Sequence, residues 1–298
     1  MNELPITEAA SAQHVGKSSL RARDYVQVLV ATVLVALFLK TFVIAAYRIP
    51  SASMENTLRP GDFLLVNKFI YGAQTPRYLP FSRIEVPQIR LPALRTPRHG
   101  DLIVFELPPY ARDQLDNAAS DTYVKRCIAL PGDTLSIVNR NVFVNGEDHA
   151  SPQFGRTGKR RLYPRGFGDS RIFPGGSTFN EDNYGPLAIP KQGDKVKVDA
   201  KSFLGLKELI EHEGHSAKLN PEGNVLVDGV KADVYEVKQN YYFMMGDNRD
   251  NSLDSRFWGF VPEDLIIGKV MVIYWSVDET GGSFFSNIRW GRIGSILK

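Results

Sequence analysis

From Tyr25 to Tyr47 the chain reads YVQVLVATVLVALFLKTFVIAAY, with Lys40 its only charge and Gln27 its strongest other polar residue. At about 1.5 Å rise per residue, a run of this length spans a hydrocarbon core of roughly 30 Å. Lys40 lies near one end and can snorkel to the headgroups along its own stem. Phe42 is followed by the β-branched Val43 and Ile44, so the helix is expected to stop near Lys40 and the rest to run as a strand. A buried helix of a soluble protein would rarely go from Tyr25 to Leu39 without a charge. A cleaved signal peptide has an h-region of nearly this length, but residues with chemical potential begin only a few positions downstream. Residues 25–47 are therefore expected to form a membrane anchor and the start of the first strand. Lys17, Arg21 and Arg23 crowd its N-terminal flank, against Arg48 and the snorkelling Lys40 on the other. The positive-inside rule then puts residues 1–24 in the cytoplasm as a loose tail and everything from residue 48 outside.

Composition alone would hide this segment. The 298 residues carry 36 Lys+Arg and 33 Asp+Glu, a formal charge of +3, and are 43% hydrophobic. That balance excludes a disordered chain and gives no electrostatic footprint for nucleic acid. The single cysteine excludes an intrachain disulfide framework and any multi-cysteine metal site.

Past the anchor the chain is β-rich. FLLVNKFIYG (Phe63–Gly72), GDLIVFEL (Gly100–Leu107), TYVKRCIAL (Thr122–Leu130) and GKVMVIYWSV (Gly268–Val277) are short β-branched and aromatic runs bounded by Gly, Pro or Asp. Asn145-Gly146 and Asp228-Gly229 carry hairpin signals after similar short runs. One helix is expected, Lys201–His212, with Phe203, Leu206 and Ile210 on one face. From about Gly155 to Tyr184 the chain is Gly- and Arg-rich without periodicity and reads as an exposed loop, Lys159, Arg160 and Arg161 as solvated surface.

Several signatures are absent. Gly16-Lys17-Ser18 lacks the first glycine of a phosphate loop and a preceding strand, and no G-x-S-x-G elbow occurs. Ser295 to Lys298 spells S-x-x-K, but at the end of the chain. Asp250 to Asp254 hints at a calcium loop, yet Ser255 and Val261 stand where Gly and Glu belong. The histidines offer only His212 and His215 at close spacing, so no metal and no cofactor is expected.

Three blocks remain. Arg48-Ile-Pro-Ser-Ala-Ser-Met-Glu-Asn-Thr-Leu58 follows the anchor directly; alone, its serines read as a polar loop. Tyr123-Val-Lys-Arg-Cys-Ile-Ala-Leu-Pro-Gly-Asp133 places a lysine amid apolar residues, where it is either a snorkeller or a desolvated base. Strand alternation puts Tyr123, Lys125 and Cys127 on one face and Val124, Arg126 and Ile128 on the other. Gly246-Asp-Asn-Arg-Asp-Asn-Ser-Leu-Asp-Ser-Arg256 is dense in fixed donors and acceptors, as an ordered wall or a polar turn would be.

Together, and in this order behind an anchor, the blocks resemble the bacterial type I signal peptidase (leader peptidase) family. The first block departs at Asn56, where the family usually has proline, a difference expected to touch turn rigidity rather than chemistry. The resemblance implies that Ser53 is the nucleophile and Lys125 its general base. It implies that Ser51 joins the Ser53 N–H in an oxyanion hole and that Ser252 orients the lysine amine. Asp254 and Arg256 would support that wall, and Ile49, Met54, Leu58, Tyr123 and Val124 would line small substrate pockets. A lysine base at neutral pH requires its pKa to fall by about three units.

The resemblance further implies a mainly β fold: one N-terminal transmembrane helix, then an antiparallel β-rich catalytic core (48–133 and 241–298) with a smaller β-rich domain inserted at 134–240. The implied activity is removal of N-terminal signal peptides from exported preproteins after small residues at −3 and −1, by an enzyme of the cytoplasmic membrane with its catalytic domain on the periplasmic side. Its partners would be signal-peptide-bearing preproteins and the lipid bilayer, with no nucleic acid. Oligomeric state is left open, a monomer being the expectation, and Cys127 is expected to do no more than pack. A non-catalytic anchored β-module would predict no processing, and a self-cleaving or transpeptidase-type Ser/Lys enzyme would predict acylation by penicillin or a single autolytic cut.

Overall fold

The structure is a computed structural model, and it describes residues 22–75, 84, 86–87, 89–114, 121–149, 161–278, 281 and 285–297. Lys159 and Arg160 lie outside these residues. The chain divides into two units, residues 1–39 and 40–298.

In the first unit, α1 (Ala22–Phe38) has no buried residue. A π-helical turn (Leu39–Val43) continues it, and Ala22–Val43 is long and apolar enough to cross a membrane, with a mean hydropathy of 2.3. The helical path thus runs three residues past Lys40, through the β-branched Val43, before Ile44 opens the strand.

The second unit opens with β1 (Ile44–Arg48), β2 (Asp62–Asn67), β3 (Leu102–Glu106), the short α2 (Pro109–Gln114) and β4 (Thr122–Ala129). Residues 134–240 then supply β5 (Thr134–Val138), β6 (Asn141–Val144), β7 (Glu147–Asp148), β8 (Tyr184–Ala188), β9 (Lys195–Lys197), α3 (Phe203–His212), β10 (Ala217–Leu219), β11 (Val225–Val227), β12 (Val230–Lys231) and β13 (Val234–Glu236). The chain closes with β14 (Tyr241–Met245), α4 (Ser255–Trp258), β15 (Val261–Pro262), β16 (Ile266–Ser276) and β17 (Ser295–Ile296). Asn145-Gly146 and Asp228-Gly229 form the tight turns of β6–β7 and β11–β12, all four residues at positive φ as such hairpins require.

One antiparallel sheet carries the order β1-β2-β16-β3-β4-β14-β15, with β17 on β16. The register slips twice along β16 against β2 and once against β3, and bulges of this kind bend a sheet. The resulting curl brings β1 and β4, separated by three strands in the order, to the walls of one cleft. The strands of 134–240 pair only among themselves, in sheets of four, three and two strands. Their core is shared, however: one buried cluster joins Leu135, Ile210 and Val225 to Phe243, Met245 and Phe260.

The 155–184 stretch differs from expectation in its described part. Arg161 is exposed, but Ile172 and Phe173 are buried in that shared cluster, and Asn180, Asp182 and Asn183 are buried polar residues tied to the local backbone. Irregular backbone survives burial here because side-chain amides and carboxylates satisfy it, a device that leaves no periodic trace in sequence.

Candidate active site

Ser53 sits in a turn-rich loop, residues 51–58, between β1 and β2. Leu58 N–H bonds the Met54 carbonyl at 2.8 Å, and the side chains of both residues are buried with Ile49, Leu64 and Val66. This apolar pair fixes the loop from below. From the side, Asn248 N–H donates to the Ser53 carbonyl at 3.0 Å, and its Nδ2 to the Ala52 carbonyl at 3.1 Å. Asp247 is buried beside it and accepts Thr57 Oγ1 at 2.5 Å and a two-pronged Arg126 at 2.8 and 2.7 Å. Sequence reasoning gave Thr57, Arg126, Asp247 and Asn248 no role. Arg126 was legible only as the residue on the face opposite the lysine.

Asn56 in this loop has φ +91°. A proline ring holds φ near −65°, so the departure from the family pattern redirects the backbone rather than merely loosening it.

Lys125 lies on β4 opposite Ile103 of β3 and is 1% exposed. Its Nζ donates to Ser53 Oγ at 2.6 Å. Burial pushes its pKa down to about 8, with Asp254 and Asp247 opposing the fall and Arg256 assisting it. Asp254 is itself neutralised by a bidentate bond to Arg256 at 2.8 and 2.9 Å, and also accepts the Gly246 N–H at 3.0 Å. Burial alone would raise its carboxyl, but the Arg256 charge and these bonds hold it below its ordinary value. The amine therefore faces a closed ion pair rather than a bare carboxylate.

The Ser51 hydroxyl lies 3.4 Å from Ser53 Oγ. Ser252 lines the same cleft, but its buried Oγ has no hydrogen-bond partner among the described residues, so the orienting bond to Lys125 is not made in this geometry. Gly246 admits Ser252: a Cβ built there would fall 2.1 Å from its Oγ and 2.6 Å from the Ser53 carbonyl oxygen.

The cleft holds about 560 Å³. Ile49, Met54, Tyr123 and Val124 line it with Ser51, Ser53, Lys125 and Ser252. Leu58 does not: it is wholly buried beneath the loop, because its place one turn after Met54 points it into the core. Arg171 and Glu181, from the stretch read as an exposed loop, and Asp250 and Phe257 complete the walls. Nothing in their sequence spacing marked the first two. Cys127 is buried in the neighbouring core, where burial pushes its thiol well above the ordinary range. Among the described residues no cluster of His, Cys, Asp or Glu has the arrangement of a metal site. His212 and His215 instead bond Asp264 and Asp228.

Comparison with known proteins matches residues 22–275 to the family described as signal peptidase, peptidase S26. A signal peptidase I of Buchnera aphidicola subsp. Acyrthosiphon pisum is 34% identical over 271 residues, which cover 89% of this chain and 79% of that protein. The signal peptidase I of Aquifex aeolicus is 31% identical over 262 residues, 82% of this chain and 80% of that one. A solved signal peptidase I from Enterococcus faecalis is matched at 18% identity and a TM-score of 0.28, over 59% of this chain and 97% of that one, too loosely to carry weight. The buried Lys125 and the Ser53 hydroxyl it bonds thus stand in a chain that belongs to the signal peptidase family, peptidase S26.

Proposed function

We propose that this enzyme cleaves signal peptides from exported preproteins with a Ser53/Lys125 dyad. The observation that carries the reading is the 2.6 Å bond from a fully buried lysine to the Ser53 hydroxyl. With a pKa of about 8, roughly a tenth of Lys125 is neutral at pH 7, against about one in 2,500 for an unperturbed lysine. Neutral Nζ takes the Ser53 proton as Oγ attacks the scissile carbonyl, then returns it to the departing amine. The Ser53 N–H and the Ser51 hydroxyl meet the oxyanion of the tetrahedral intermediate. Water then hydrolyses the acyl-enzyme, again with Lys125 as base.

Substrate joins the fold as an extra strand. β14 pairs β4 only from Arg126 onward, so residues 122–125 offer an open edge to the cleft, and β1 ends the sheet order on its other wall. An extended peptide between these edges presents alternate side chains to one wall, which suits small residues at −3 and −1 against Ile49, Met54, Tyr123 and Val124. Ser252 orients the lysine once substrate tightens the site, and residues 134–240 act as a non-catalytic insertion on the core formed by 48–133 and 241–298. The apolar N-terminal helix anchors the chain, with its basic flank in the cytoplasm and the catalytic unit on the periplasmic side.

Preprotein cleavage by detergent-solubilised full-length protein tests this. Both Ser53→Ala and Lys125→Ala should lose cleavage while keeping the wild-type unfolding transition. Activity retained in a folded Lys125→Ala variant removes the dyad, activity retained in Ser53→Ala removes Ser53 as the nucleophile, and no cleavage by the folded wild type favours the non-catalytic alternative.

A further inference from the structure

A second cavity, of about 440 Å³, adjoins the catalytic cleft, and Arg171, Leu253 and Phe257 line both. Its remaining wall is mostly apolar, with Leu204 and Glu208 projecting from α3 one helical turn apart. Two polar atoms of its lining residues have no partner among the described residues: the indole Nε1 of Trp258, a residue 1% exposed, and Oε2 of Glu208. Unsatisfied buried groups of this kind are costly, and native structures rarely keep them without a use. The Arg171 charge is already engaged, by Asp169 at 2.6 and 3.1 Å and by Glu181 at 3.5 Å. With Arg171 held by these two carboxylates, Glu208 is the one carboxylate among the cavity's lining residues and its Oε2 has no partner among the described residues, which favours a cation. Leu204, Leu253 and Phe257 offer an apolar wall suited to the methylene stem of a long basic side chain.

We propose that this cavity is a substrate subsite that receives a Lys or Arg side chain from the mature-protein side of the scissile bond, its stem along Leu204 and Phe257 and its charge on Glu208. The inference rests on the peptidase reading of the cleft. The open edges of β1 and β4 take the residues before the cut, whereas the second cavity meets the cleft at the wall made by Arg171, Leu253 and Phe257, none of them on those strands. Chain leaving the dyad away from the strand edges passes that wall. One rotation of the half-buried Glu208 side chain presents its carboxylate to the cavity, and Trp258 Nε1 then donates to a main-chain carbonyl of the same substrate segment.

The test is a peptide series with an A-x-A cleavage site, placing Lys, norleucine or Glu in turn at each of the first several mature positions. Full-length solubilised wild type is compared with Glu208→Gln and Glu208→Lys. At one mature position Lys should raise wild-type kcat/KM about tenfold over norleucine. That ratio should fall to about one in Glu208→Gln and turn in favour of Glu in Glu208→Lys. Absence of a Lys preference at every mature position, or its survival in both variants, overturns the proposal. Cleavage of the norleucine peptides by wild type, compared with Ser53→Ala, reports separately on the peptidase reading. An inactive Ser53→Ala beside a flat Lys series therefore sinks the subsite alone.

Discussion

At the scale of single residues, the question is what holds an amine uncharged enough to act as a base. Lys125 is 1% exposed although its strand borders the cleft, and burial is the largest cause of its lowered pKa. The carboxylate that most opposes the fall, Asp254, would restore the charge were it not closed off by Arg256. The fall stops near 8, short of the three units that would leave roughly 30% of the amine neutral at pH 7, so only about a tenth of it is neutral there. Below that pKa the neutral fraction grows tenfold with each pH unit. kcat/KM should therefore rise about tenfold per unit from pH 6 to about 7.5 and level off above pH 8, as read from initial rates on one peptide across the range. A flat profile between pH 6 and 8 would assign the proton to another group. The resemblance carried by the block around Lys125 pointed to it as the proposed base but not to the depth of its burial, because desolvation is a property of the residues packed around it.

At the scale of elements, Ser53, the proposed nucleophile, owes its place to a clamp between two segments far apart in the chain. The loop at 51–58 has no strand partner of its own. Met54 and Leu58 root it in the core, and the Asp247–Asn248 pair grips it from the side. Leu58 belongs to this root rather than to the substrate pockets, a distinction that only the loop's helical turn could reveal. The Asn248 backbone bond to Ser53 survives any side-chain change, whereas its amide bond to Ala52 does not. Asn248→Ala should thus leave the fold intact and let the loop drift, with kcat lower by roughly tenfold or more and KM nearly unchanged. Steady-state kinetics alongside a thermal melt separate the outcomes. A raised KM at constant kcat would make Asn248 a substrate contact instead of a clamp.

At the scale of the molecule, the legible parts were those with a local signature. The strand runs at 100–107, 122–130 and 268–277 and the helix ending at His212 have β-branched density or a 3.6-residue period, and each is present to within a few residues. The approach of Ser53 to Lys125 spans 72 positions and was readable only through resemblance. The 161–183 stretch, with Arg171 and Glu181, was misread because its packing rests on isolated residues. The closure of the catalytic unit was equally silent. Asp62, at the start of β2, is fully buried and is held by Arg292 near the end of the chain, by Ser276 at 2.6 Å and by the Arg59 N–H at 2.7 Å. Arg292 also donates to the Thr57 carbonyl at 2.9 Å, so the two ends of the unit meet behind the nucleophile loop. Burial works against ionised Asp62, but these bonds outweigh it and keep its pKa below the ordinary carboxylate value. A carboxyl with a depressed folded pKa stabilises at neutral pH, and that contribution is lost as pH falls through the folded pKa. Arg292→Ala strips the main counter-charge from a buried carboxylate and should cost about 3 kcal/mol at pH 7. In acid, protonation of Asp62 relieves the unpaired charge, so the deficit should shrink as pH falls. Denaturant melts of both proteins at pH 7 and pH 4 decide the matter. A deficit independent of pH would mean that Arg292 acts by packing alone and that the Asp62 charge does not close the fold.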